Sequence, residues 1–171
     1  MTIAEQLLPE FDQEMANTRR TLERTSNEKW DWRPHQKSNT MGWLAGHLAN
    51  IPTWANHAIE REALDIAPEG KPLRNPPIES REKVLETFDR NLAAARAAIA
   101  KASDEHLRAG WTLIASGRPL FTIPRAAVLR TWVLNHMIHH RAQLGVYLRL
   151  NDIPVPALYG PSADEPLSQT E

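Results

Sequence analysis

Apolar residues recur every three or four positions along four long stretches of this chain, and polar or proline-rich segments separate the stretches. That spacing is the repeat of an amphipathic helix, about 3.6 residues per turn, and it narrows the fold to helices packed on helices. In the first stretch Ile3, Leu7, Phe11, Met15, Thr18 and Leu22 share one face. Pro9 interrupts it early and marks a kink or the true first turn. Residues 26–38 are polar, with Trp30, Trp32 and Pro34 in a connecting loop. Ser38, Asn39 and Thr40 then offer N-caps for a second helix through about Arg61, which Pro52 should bend or break.

Residues 65–78 hold five prolines or glycines and read as a crossover loop. Ser80 caps a third helix, with Glu82 near its positive end and Val84, Phe88, Leu92, Ala95 and Ile99 as its apolar stripe. Residues 103–123 are less regular: Ser116-Gly117-Arg118-Pro119 between apolar runs is a short hairpin or an extended loop. Pro124 opens a last helix to about Asn151, patterned by Val128, Trp132, His136, His140, Leu144 and Tyr147. The expectation is an all-α bundle of four helices with two longer connections, one domain over 1–165 and a disordered tail at 166–171.

The chain of 171 residues is long enough for one real core. Its 20 Lys and Arg nearly cancel 21 Asp and Glu, so it lacks the positive surface that nucleic acid would require. It has no cysteine, which removes disulfides, thiolate metal sites and a cysteine nucleophile and fits a reducing cytoplasm. The first residues lack the pattern of a signal peptide, and no apolar run reaches the roughly 20 residues of a membrane span.

The chemistry points to histidine. His136 and His140 are four residues apart on one helical run, so their imidazoles face the same way, and His47 lies on another run. Two such imidazoles plus a third from a facing helix make a three-histidine site with an open position, the arrangement of a catalytic rather than a structural zinc. A 136/139 pair is also geometrically open. On the helical wheel His139 lies about 60° from His136, on the side away from His140, so one ion does not readily take all three. The 136/140 pair is favoured, leaving His139 to support a ligand, pack in the core or meet an interface. Gln143, one turn beyond His140, is placed to hydrogen-bond a ligand imidazole or the water on the metal. Arg141 points elsewhere, toward a carboxylate or the chain's tail. Six tryptophans are more than usual; most are core, while Trp32, Trp43 and Trp54 are candidates to wall a small apolar pocket over the metal.

At these residues the chain resembles the DinB-like metal-binding four-helix bundle superfamily. The matching pieces are Trp32-Arg33-Pro34, Gly46-His47-Leu48, the stretch from Asn135 through Leu144, and the tail from Ile153 to Glu165. The likeness runs from about residue 3 to 165. It implies an up-up-down-down bundle, one divalent metal (Zn, Ni or Fe) on His47, His136 and His140, and a homodimer. Ala142 departs from relatives that carry glycine there, without touching the ligands. Some members are transferases or isomerases that use a low-molecular-weight thiol cosubstrate such as bacillithiol, mycothiol or glutathione; others are described as metal-dependent hydrolases. The expected function is therefore a metalloenzyme activating water or such a thiol against a small-molecule electrophile, and the competing one a non-catalytic, metal-stabilised binding bundle. An anionic thiol would need cations nearby, for which Arg33, Lys37 and Arg118 are the loop candidates. The third helix adds a weak argument of its own for a dimer: Leu92, Ala93, Ala94, Ala95, Ala97, Ala98, Ile99 and Ala100 put small or apolar groups on more than one side.

Overall fold

Thr2 starts the first helix. Its hydroxyl accepts from the Glu5 N–H (3.1 Å), and the Glu5 carboxylate accepts from the Thr2 N–H (2.7 Å), a reciprocal cap. Helix α1 (Ile3–Glu23) runs from there through Pro9. The proline is thus neither the first turn nor a stop. It removes one backbone donor, but the cap, the Ile3 N–H to Asp104 carboxylate bond (2.8 Å) and burial of Ala4 and Leu7 hold the turn before it. The structure, a computed structural model, describes residues 1–166. Of the expected tail at 166–171, residues 167–171 lie outside the described residues.

Thr40 is the cap that starts α2 (Met41–Asn50), accepting from the Trp43 N–H at 3.1 Å. Pro52 breaks the run as its missing N–H demands, and α3 (Thr53–Glu60) continues beyond it. Ser80 caps α4 (Arg81–Lys101), whose Val84, Phe88, Ala95 and Ile99 are fully buried. A short α5 (Asp104–Arg108) follows, capped by Ser103. The last helical run is continuous in the chain but not uniform. It comprises α6 (Arg125–Val128), a wider π-helical segment (Leu129–Asn135) and α7 (His136–Arg149). No helix among the described residues is long and apolar enough to cross a membrane.

The chain is mostly helical but not all-α. A three-stranded sheet joins β1 (Ala63–Asp65), β2 (Gly110–Ala115) and β3 (Arg118–Pro124) in that order, the first pair parallel and the second antiparallel. The hairpin is the one that Ser116-Gly117 offered. Both residues have positive φ (52° and 73°), the two-residue turn that matches the twist of paired strands. The Asp65 carboxylate accepts from the N–H groups of Ala67, Ser116 and Gly117 (2.9, 3.0 and 2.8 Å), tying β1 to the turn. Those bonds favour the anion and hold its pKa below the usual carboxylate value. Trp111 and Leu113 of β2 point into the core, and the Trp111 indole N–H donates to the His57 carbonyl (3.0 Å).

The main core lies where α1 and α2 each pack against both α4 and α7. Phe11, Met15, Leu22, Leu48, Phe88, Ile99, Leu144 and Leu148 fill it. Gly42 lets Trp30 close over α2: a Cβ there would lie 2.3 Å from the indole nitrogen, which donates to the Ile78 carbonyl at 3.0 Å. This packing of α2 on α7 sets His47 opposite His136 and His140.

Candidate metal centre

Three imidazoles meet between α2 and α7. The Nε2 of His136 lies 3.2 Å from that of His47 and 2.9 Å from that of His140, and one ligand atom from each residue falls within 4.8 Å of the others. All three side chains are half-buried. Zinc–imidazole bonds of about 2.0–2.1 Å with angles between 90° and 109° put ligand nitrogens roughly 2.9–3.4 Å apart, and the two His136 separations fall in that span. His139, by contrast, is exposed and outside the cluster.

The protons available do not make the cluster a hydrogen-bonded trio, and its geometry is compatible with a set of metal ligands. The His140 Nδ1–H donates to the Gln143 amide oxygen at 2.7 Å, which leaves His140 Nε2 as a bare lone pair. A single proton on His136 Nε2 cannot serve both neighbours, and the Nδ1 of His136 is buried without a hydrogen bond of normal geometry. Three neutral nitrogens facing a common point are satisfied by a cation. Burial, then the neighbouring imidazoles, lowers the His47 pKa to about 4. His136 is lowered by burial first and then by His140, with the Trp132 backbone opposing; His140 is lowered by burial, with Gln143 opposing. All three are therefore held in the neutral form that ligation needs. The residues fit a divalent ion.

A pH dependence follows. These folded-state pKa values lie below the unfolded value of about 6.5, so the folded chain binds fewer protons than the unfolded one between there and about 4. Metal-free stability is then fully present above about 6.5 and is lost as pH falls toward 4. Metal affinity measured by calorimetry should stay level while the folded imidazoles remain neutral, including at about pH 6.5 where a free imidazole is already half protonated, and should fall as pH approaches about 4, where His47 takes a proton. Affinity that stays unchanged well below about pH 4 would exclude imidazole ligands.

Aromatic rings surround the centre. Trp43 stacks on His47 with centroids 4.9 Å apart at 14°, and its other side is open to solvent. Trp132 meets His136 edge-on at 6.3 Å and stacks with both Trp54 and Phe121, each at 5.7 Å. An open groove of about 540 Å³ runs beside the centre. Phe121 and Ile123 of β3 form part of its wall, Thr131, Trp132 and Asn135 of the π segment another, and His136 and His139 complete it. Of the pocket candidates read from sequence, none lines this groove. Trp43 covers His47, Trp54 backs Trp132, Gln143 orients His140, and Trp32 packs edge-on against Tyr147 (5.5 Å), away from it. Arg33, Lys37 and Arg118 do not line it either. Trp132, about one turn before His136, lines the groove although the sequence marked it only as part of the last helix's pattern.

Arg141 turns inward from the ligand stretch. It is 2% exposed and pairs with Glu14 (2.6 Å), donates to the Glu14 carbonyl (2.9 Å) and to the Thr18 hydroxyl (3.2 Å), and also donates to the Tyr159 hydroxyl. It thus ties α7 to α1 and to the tail, a carboxylate and a tail anchor at once.

Comparison with known proteins agrees with this arrangement. The DinB superfamily profile matches residues 10–144. A DinB-like protein of Bacillus cereus has the same fold, with a TM-score of 0.72 at 22% identity over 91% of this chain and 97% of that one. A DinB-like protein of Bacillus subtilis gives 0.66 at 20% identity, covering 88% and 96%. No curated protein matches the sequence. The profile spans most of the chain, histidine cluster included, and the chain belongs to the DinB superfamily.

Proposed function

We propose that the chain is a divalent-metal-dependent enzyme that acts on a small electrophile with water or a low-molecular-weight thiol as nucleophile. The observation that carries this reading is that His136 is shared: its Nε2 faces the other two imidazoles while its ring lines the groove. A cation held by three neutral imidazoles lowers the pKa of water or a thiol bound to it and polarises a carbonyl. The protein's own groups do the rest. Gln143 fixes the tautomer and orientation of His140. Trp43 shields one face of His47, and Trp132 walls His136 on the groove side. Purified protein should carry about one Zn, Ni or Fe per chain. It should turn over in a screen of ester and amide hydrolysis and thiol conjugation, with activity lost to a chelator. Bound metal without turnover in any arm supports the alternative, a metal-stabilised binding bundle; no metal at all overturns both.

Two further parts of the reading concern assembly. We assign the four long helical runs the family's up-up-down-down bundle order, with the sheet as an addition built from two of the connections. We also expect a homodimer. Ala93, Ala94, Ala97 and Ala100 lie exposed along α4, where small side chains allow a second helix to approach. Light scattering at micromolar concentration should give about twice the 19.4 kDa chain mass; a mass near 19.4 kDa removes the dimer.

A further inference from the structure

We propose that the groove beside His136 takes a small, uncharged and mainly apolar molecule, and that this is the electrophile of the reaction proposed above, a reading on which the inference rests. The groove's volume of about 540 Å³ suits a small molecule rather than a peptide. Its walls are Phe121, Ile123 and Trp132, and no Arg, Lys, Asp or Glu is among its lining residues. In the metal-free protein, an anion seated against Phe121, Ile123 and Trp132 meets apolar rings and no Arg or Lys, and gives up hydration without compensation. The groove is not featureless. Asn135 and His139 line it, and neither side chain has a hydrogen-bond partner among the described residues. The Thr131 hydroxyl already donates to the Ala127 carbonyl (2.7 Å) and keeps its lone pairs. These donors and acceptors can take a carbonyl, amide or hydroxyl on an otherwise apolar molecule. His136 belongs both to this wall and to the histidine centre, so a molecule seated against Trp132 lies next to one ring of that centre.

The test uses a matched pair that differs in charge, naphthalene-2-carboxamide and naphthalene-2-carboxylate, with glutathione as an anionic thiol. Each is titrated into the metal-free protein while the Trp132 indole N–H is followed by NMR, its signal assigned with Trp132→Phe. The amide should shift that signal and bind at least about tenfold tighter than the carboxylate, and glutathione should leave it unmoved. Thr131→Lys puts a cation at an exposed position of the groove, and the preference should reverse toward the carboxylate. A carboxylate or glutathione that binds as tightly as the amide overturns the proposal, as does an amide that never moves Trp132 or a preference that Thr131→Lys leaves unchanged. Uptake of Zn, Ni or Fe by the same protein, measured after adding back each ion, keeps the two readings apart. A chain that binds the amide but no metal loses the metalloenzyme and keeps the groove; one that binds metal and ignores the amide loses the groove alone.

Discussion

Alanine at His136 or at His140 will reduce bound metal from about one ion per chain to background, whereas His139→Ala will retain most of it. The expectation rests on position. The Nε2 atoms of 136 and 140 are 2.9 Å apart and converge with that of His47, while His139 turns its ring toward the groove. Removing one of three ligands leaves two, and two neutral imidazoles hold a hydrated divalent ion weakly. Gln143→Ala grades the result. It leaves all three ligands in place but frees the His140 ring to rotate and change tautomer, which should cost about 10–100-fold in affinity. Elemental analysis and competition with a chromogenic chelator measure both effects. Loss of metal in His139→Ala as complete as in His140→Ala would show that the ion is held in a different register on α7.

The histidine geometry was open to reading because a helix makes it local. Residues 136 and 140 share a face by backbone geometry alone, and only His47 needed tertiary knowledge. Ser80, Thr40 and Pro52 were legible for the same reason, since each acts through backbone donors within one turn. The sheet was harder. Its hairpin carries a local signal in Ser116-Gly117, but β1 is three residues long and exists only because β2 and the Asp65 carboxylate hold it. The groove was missed outright. It is built where β3 meets the π segment, a contact between distant stretches, so Phe121 and Ile123 gave no sign of facing His136. One sign was available. Val128, Trp132, His136, His140 and Leu144 are spaced by four throughout, and on a regular helix such a ladder drifts about 40° per step. A wider turn within the ladder changes that drift, and π turns of this kind gather at functional sites. Trp43 and Trp54 drew notice because they flank His47 in sequence, whereas Trp132, on the opposite helix, lines this groove.

The second large effect lies beneath the centre, at Arg141. Replacing it with methionine keeps much of its volume and removes its charge, leaving the Glu14 carboxylate, 5% exposed, with no cation against it. Breaking one side of a buried ion pair costs about 3–5 kcal/mol, because the remaining charge has lost its water and its partner together. For a chain of this size that corresponds to a fall in melting temperature of roughly 6–20 °C. The Tyr159 hydroxyl, which donates to Glu14 at 2.6 Å, compensates only in part: it is one neutral donor where the guanidinium supplied several. The tail should loosen as well, since Arg141 also holds Tyr159 through its hydroxyl and lies 5.3 Å from its ring centroid. The double variant Arg141→Met with Glu14→Leu separates the causes. If the cost is the stranded carboxylate, deleting it should restore much of the loss. If the cost is the lost packing of α7 on α1, the double variant will be no more stable than the single one. Chemical denaturation of the metal-free protein measures this without interference from ligand binding, and a loss below about 1 kcal/mol in Arg141→Met would show that the pair contributes no more than an exposed one. Because Arg141 directly follows His140, the same variant should weaken metal binding even though it removes no ligand. The shift in metal affinity would then measure how far the position of the second imidazole depends on the contact that fixes α7 against α1.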